Sequence, residues 1–451
     1  MPLPPPGDTI AAIATAPGEG AIGVVRVAGP EALRVADAVF RPLAGLSPSQ
    51  RPGHEIVVGR VEDAGGIVDE GLLLVFRAPR SYTGQDAVEI QTHGGPAVLR
   101  RVLAACLTHG ARAAGPGEFT LRAYLAGKMD LVQAESVLGI VQARSERARR
   151  SAAHGLTRRL SDELDRLQDA LTEAYGDLTA VLDYPEEGVE LRDVRPTLDA
   201  VRRRIAELLA TADAGSLVQR GAKLAIVGRP NAGKSSLLNA LLGYERSIVS
   251  DVPGTTRDYL EAPLELGGVP LTAVDTAGVR ATEDAVEASG VHRALELADQ
   301  ADLVLCLLDR SVALERSDHD LIERLAPHRT LLVASKADLP AAWSEASAES
   351  GTPGAIVVSA ARGDGLAELR DAIGARLLGD AAGSELWITH ERHVDALTRT
   401  EAALGRAATA PEDLMALDLQ DALATLASLT GRGDIAEDAL EHVFANFCVG
   451  K

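Results

Sequence analysis

The segment Gly228-Arg229-Pro230-Asn231-Ala232-Gly233-Lys234-Ser235 constrains this chain more than any other. It fits G-x-x-x-x-G-K-S, directly after an apolar run at Lys223–Val227 and before a helical run from Ser236 to Leu242. In that setting the glycines let backbone N–H groups cradle phosphates, and the helix N-terminus favours negative charge. Lys234 is expected to reach the β/γ-phosphates and Ser235 to ligate Mg2+. The surrounding region, residues 216 to 382, should be a doubly wound, mostly parallel α/β domain. Its candidate strands, Lys223–Val227, Leu271–Val274, Leu303–Leu308, Leu331–Ala334 and Ile356–Val358, each end in a polar motif.

Three further motifs follow in order. Asp275-Thr276-Ala277-Gly278 would hold Mg2+ through water and offer the Gly278 N–H to the γ-phosphate. Between it and the first loop, Gly254-Thr255-Thr256-Arg257-Asp258 can bring the Thr256 hydroxyl to Mg2+. Ser335-Lys336-Ala337-Asp338 and Val358-Ser359-Ala360 complete the set. The Asp338 carboxylate can accept from both N1–H and N2–H of guanine, which adenine does not offer, so the nucleotide is expected to be GTP. Val279 follows Gly278, so the glutamine that aligns water in Ras-like enzymes is missing. Ser335 stands where such sites usually carry Asn, which predicts weaker nucleotide binding with the guanine preference intact.

The flanks read differently. Residues 1 to 120 alternate short β-like runs with Gly/Pro turns and one helical stretch, Pro96 to His109, as in a compact α/β domain. Residues 121 to 215 turn helical, with Leu156, Leu160, Leu164, Leu167, Leu171, Leu178 and Leu182 at three-, four- or seven-residue steps. Residues 383 to 451 are helical again. Neither helical flank is large enough to bury a good core alone, so the two are expected to pack together, with the nucleotide domain inserted between them.

With a net charge of −20, the chain should repel nucleic acid except at a local patch. Its three cysteines, Cys106, Cys306 and Cys448, are too few and too scattered for a disulfide framework. With no signal-like N-terminus and no membrane-length apolar run, the chain is expected to be cytoplasmic and off the membrane. Only five of the 45 basic residues are Lys, so each is a candidate for a place that needs a compact ammonium rather than a planar fork.

The sequence closely resembles the tRNA modification GTPase MnmE (TrmE) family over essentially its whole length. The resemblance rests on GRPNAGKSSLLNAL at 228–241, DVPGTTRD at 251–258, DTAGVR at 275–280, PGEFTLRAYLAGKMDL at 116–131 and the terminal Phe447-Cys448-Val449-Gly450-Lys451. The last two are the most specific. The resemblance implies hydrolysis assisted by K+ held by Asn231, Ser250, Val252 and Thr255, with Mg2+ on Ser235 and Thr256. It implies catalytic roles for Glu287, Lys234, Thr256 and Cys448. The GTP set is then Asn231, Ala232, Gly233, Lys234, Ser235, Ser236, Ser250, Thr255, Thr256, Asp275, Gly278, Ser335, Lys336, Asp338, Ser359 and Ala360. The N-terminal domain is expected to dimerise and to bind 5-formyltetrahydrofolate through Arg26, Glu89, Lys128 and Lys451. On the residues alone these four read as ordinary surface charges, and Cys448 reads equally well as a small buried residue beside Phe444 and Phe447. The family acts with the FAD- and NADH-dependent partner MnmG (GidA) to place aminomethyl-type groups at C5 of the tRNA wobble uridine, the folate supplying one carbon.

Two motif matches are set aside. Gly18-Glu19-Gly20-Ala21-Ile22-Gly23 is G-x-G-x-x-G, but a strand follows it instead of a helix, so no dinucleotide site is expected. The terminal Cys-Val-Gly-Lys fits the prenylation rule poorly. The alternative functions are a ribosome-assembly GTPase acting as a binding switch, which should carry a basic RNA-binding domain, and a membrane-remodelling GTPase, which needs a membrane-facing helix.

Overall fold

The structure, a computed structural model, describes residues 7–183, 193–249, 264–273, 294–344, 354–433, 440 and 443–451. The chain forms two compact units. The first joins residues 1–138, 155–168 and 423–451; the second joins 139–154 and 169–422.

The first unit is built on a seven-stranded sheet, in the order β3-β4-β5-β6-β2-β1-β7. Its strands are β1 Ile10–Ile13, β2 Gly20–Ala28, β3 Phe40–Pro42, β4 Glu55–Asp63, β5 Gly66–Phe76, β6 Ala87–Gly94 and β7 Arg112–Ala113. Side chains alternate between faces along a strand, which sorts these sequences cleanly. Val25, Val27, Val57, Leu73, Val75, Val88 and Ile90 point inward and pack with residues of the helices Ala32–Val39 and Pro96–Thr108. The other face carries, in one row across four paired strands, Ile56, Leu74, Glu89 and Arg26. The second glycine of the rejected dinucleotide motif opens strand β2, so the strand begins inside the motif and no helix directly follows the motif.

The two segments that carry the most specific family resemblance, 116–131 and 447–451, meet in this unit. Pro116 bridges Val449, the Gly117 N–H donates to the Cys448 carbonyl at 3.3 Å, and the Phe119 N–H donates to the Lys451 carbonyl at 3.2 Å. Glu118 anchors the first segment. Its carboxylate is fully buried and accepts from Arg112 at 2.6 Å, from Arg122 at 2.9 Å and from the Gly115 N–H at 2.9 Å. Burial alone would raise its pKa; the two guanidiniums and the N–H outweigh that and hold it below the ordinary carboxylate range.

The second unit holds a six-stranded sheet, in the order β13-β12-β11-β8-β10-β9. These are β8 Ala222–Val227, β9 Leu264–Leu266, β10 Val269–Ala273, β11 Leu303–Asp309, β12 Thr330–Ser335 and β13 Ile356–Val357. All neighbours are parallel except the β9–β10 hairpin at one edge. Leu303 to Leu308 are buried without alternation, because helices cover both faces of a parallel sheet. The expected α/β nucleotide domain is therefore present.

Parts of both helical flanks pack against each other within this unit. Arg202 of the helix Arg195–Leu209 reaches Glu401 of the helix Glu391–Ala407 at 3.5 Å. The β9–β10 turn is fitted tightly. Gly267 has φ +61°, and a Cβ there would lie 2.3 Å from the Gly374 Cα. Arg147, from the helix Glu146–Leu156, sits over the Trp387 ring at 5.3 Å and donates to the Ala382 carbonyl at 3.0 Å. No helix among the described residues is long and apolar enough to cross a membrane.

Candidate functional sites

The phosphate loop lies between β8 and the helix Lys234–Val249, at the carboxyl end of the parallel sheet. Its sequence is dictated by backbone geometry. Gly228 has φ +141°, and a Cβ there would come 2.4 Å from the Leu307 carbonyl. Gly233 has φ +96° and Asn231 has φ +59°, a left-handed conformation that Asn tolerates better than most residues. The Lys234 ammonium lies 2.9 Å from the Gly228 carbonyl and 2.7 Å from the Arg229 carbonyl. Burial lowers its pKa, so a phosphate beside it would compensate a desolvated cation. Ser235 and Ser236 fall in the first turn of that helix. Arg229 pairs with Glu315 and, at 3.3 Å, with Asp318, which holds the loop against the helix Arg316–Arg324.

The residues expected to bind the base follow the ends of β12 and β13. Lys336 has φ +59° and places its ammonium 2.6 Å from Asp309, the last residue of β11. Burial would raise Asp309, but Lys336 and the Ser311 hydrogen bonds keep it below the ordinary range. Asp338 accepts from the Ser359 hydroxyl at 2.7 Å, and that bond lowers its pKa, so the side chain is held as a carboxylate. The Ala337 N–H donates to the Val358 carbonyl at 3.1 Å, joining the loop to the segment that carries Ser359 and Ala360. Asp309 is absent from the residues expected on sequence. The polar end of an otherwise apolar strand was the available signal. Ser250, Val252, Thr255, Thr256, Asp275, Gly278 and Glu287 lie outside the described residues.

A second constellation forms in the first unit. Arg26 on β2 and Glu89 on β6 are cross-strand partners, with Arg26 Nη2 2.8 Å from the Glu89 carboxylate. Both are largely covered, at 19% and 22% side-chain exposure, so they are not the ordinary surface charges their sequence context suggests. The Arg26 guanidinium lies 5.5 Å from the centroids of the Tyr82 and Phe119 rings, within cation–π range. It also donates to the Gly450 carbonyl at 3.3 Å. Gly450 is required there: with φ +101°, its Cβ would lie 2.4 Å from the Ile13 carbonyl. Tyr82 hydrogen bonds Thr120 at 2.9 Å, and burial raises its pKa.

Lys128 is exposed and donates to the Pro79 carbonyl at 2.9 Å. The Lys451 main chain is tied to Cys448 and Phe119. Arg26 and Glu89 are paired directly, and Lys451 follows Gly450, whose carbonyl accepts from Arg26. Cys448 is exposed, which overturns its reading as a small buried residue; the neighbouring Phe444 and Phe447 fill the core instead. Cys106 and Cys306 are buried, and desolvation pushes both thiols up to about 12.

The chain matches the family model for the MnmE helical domain over residues 131–448 and the model for the GTP-binding protein TrmE N-terminus over residues 9–128. It is 52% identical to a tRNA modification GTPase MnmE of Thermus thermophilus over 446 residues, covering 98% of this chain and 99% of that protein. It is 42% identical to the MnmE of a Roseiflexus species and 38% identical to that of Clostridioides difficile, again over 98% of this chain and 99% of each relative. Among solved structures, the G domain of the T. maritima FeoB iron transporter matches 34% of this chain and 97% of its own, at 23% identity and a TM-score of 0.25. On the two family models and the full-length relatives, the chain belongs to the MnmE (TrmE) family of tRNA modification GTPases.

Proposed function

We propose that the chain is a potassium-activated GTPase that, with the flavoprotein MnmG (GidA), installs aminomethyl-type groups at C5 of the tRNA wobble uridine, using one carbon from a folate. The observation that carries the folate part is the covered Arg26–Glu89 pair, flanked by two aromatic rings and closed by the Gly450 carbonyl. A flat heterocycle bearing both donors and acceptors, with an acidic tail, suits such a site. Arg26 and Glu89 would hold its polar edge, and Tyr82 and Phe119 would flank it. The bound folate supplies the one-carbon unit; the protein's part is to orient it and shield it from water.

On the nucleotide side, GTP and water give GDP and phosphate. Lys234 neutralises the phosphate oxygens and Asp338 selects guanine. Asn231, already turned into the left-handed region at the phosphate loop, would help hold K+ beside the β/γ oxygens. There the cation would offset developing charge much as a guanidinium does. Ser235 and Thr256 would hold Mg2+. Glu287, which matches the catalytic carboxylate of the family, would take part in activating water.

The first unit's open sheet face supports a homodimer. Ile56 and Val58 are 67% and 57% exposed on β4, and the row of Ile56 runs through Leu74 to Glu89 and Arg26. An exposed apolar strip of this kind is what a second copy would cover. The reaction belongs in the cytoplasm, where tRNA and GTP are found.

The test is to delete the gene in its host and compare tRNA nucleosides by mass spectrometry. Loss of C5 aminomethyl-type uridines is the expected result. An unchanged profile in a host with no second copy would overturn the reading.

A further inference from the structure

Ser335 ends β12, and only 7% of its surface is exposed. Its Oγ lies 2.7 Å from the Ala232 carbonyl and 3.2 Å from the Leu308 carbonyl. A hydroxyl has one hydrogen to give, and a carbonyl has none. Whichever carbonyl takes it, the hydrogen of Ser335 is committed inside the protein. A side-chain amide at the same place would have two hydrogens, one for the main chain and one to spare.

The partner at 2.7 Å matters because of where it sits. Ala232 lies in the phosphate loop, 103 residues before Ser335. The next residue after Ser335 is Lys336, in the left-handed region and paired with Asp309, and two residues beyond comes Asp338, oriented by Ser359. The bond from Ser335 to Ala232 therefore links the loop that grips phosphate to the loop that reads the base.

We infer that Ser335 is a positioning residue that donates nothing to the nucleotide, and that its bond to Ala232 fixes the Asp338 carboxylate relative to the phosphate cradle. This rests on the reading that Asp338 accepts from guanine N1–H and N2–H. Guanine is then selected by the Asp338 side of the pocket, and the serine hydroxyl adds alignment only.

The experiment measures KM and kcat of the full chain with GTP and with ITP, whose base lacks the 2-amino group. The variants are Ser335→Ala, Ser335→Cys (close in size but a weak donor) and Asp338→Asn. Both Ser335 variants should raise KM for GTP about five- to tenfold, the scale of one lost hydrogen bond, with kcat changing less than about twofold. The GTP-over-ITP preference should shrink by a similar factor, because a misplaced carboxylate loses the second guanine contact first. An unchanged KM for GTP, or an equal rise in KM for both nucleotides, overturns the inference; if Ser335→Ala does not fold, Ser335→Cys decides. Asp338→Asn is the separate check on guanine reading: if it keeps the preference for GTP over ITP, that reading falls, whatever the Ser335 variants do.

Discussion

The two sites are built in opposite ways. The phosphate loop is a contiguous run of eight residues, Gly228 to Ser235, whose shape is set by its backbone. Its φ values at Gly228, Asn231 and Gly233 explain the residue types one by one. The Arg26 site collects Arg26, Tyr82, Glu89, Phe119 and Gly450 from five separate places in the chain and works through side chains. A backbone cradle announces itself locally, because the conformation it needs limits the sequence at that spot. A side-chain site is announced only by the strand register that makes Arg26 face Glu89 and by the chain end that returns to Gly117 and Phe119.

The contrast predicts that each site can be broken without the other, and the largest effect should come from the cradle. Lys234→Ala should cut kcat/KM for GTP hydrolysis by about 10²- to 10³-fold, the scale for removing one charge-stabilising group. Binding of 5-formyltetrahydrofolate, measured by calorimetry, should be untouched. In the other unit, Arg26→Ala should weaken 5-formyltetrahydrofolate about 10- to 100-fold, the value of a charged hydrogen bond. GTP turnover should stay within about twofold. If either variant crippled both activities in the isolated protein, the two sites would not be independent constructions.

A third prediction concerns the frame that holds the segment 116–122. Glu118→Gln should destabilise the protein by about 3 kcal/mol in chemical denaturation, because it leaves two guanidiniums facing a neutral amide. The folded-state pKa of Glu118 is depressed, so its contribution is complete above the ordinary carboxylate pKa and is lost as pH falls through the depressed value. Acid unfolding should accordingly be less steep in Glu118→Gln than in the wild type. The smallest effect is expected at Arg147. Replacing it with Ala removes the Trp387 stacking and one hydrogen bond to Ala382, which together contribute about 1 to 2 kcal/mol, a loss that chemical denaturation would register.

The same contrast explains what the sequence made legible. The parallel sheet was readable because Leu303 to Leu308 is a continuous apolar run and each strand ends in a polar motif. The edge strand β9, the short strands β1, β3 and β7, and the helix Ala32–Val39 were not, because their segments are short and their form is set by tertiary pairing. Ser335 was expected to be a weak nucleotide ligand. Its position shows why sequence could not settle the point: the acceptor for its hydrogen is a carbonyl 103 residues away. Arg26 and Glu89 were named through the family resemblance, and burial and pairing could not be seen before the register was known. Lys128 and Lys451 came from the same resemblance. Lys451 follows Gly450, whose carbonyl Arg26 reaches across the sequence, a closeness that no local pattern announces.

The most direct test of the proposed function is tRNA nucleoside analysis in cells whose only copy of the gene carries Arg26→Ala. If both sites serve one modification, as proposed, C5 aminomethyl-type uridines should be lost, although the purified variant still hydrolyses GTP. A normal uridine profile in those cells would contradict that and would leave a GTPase that modifies tRNA without the Arg26 site.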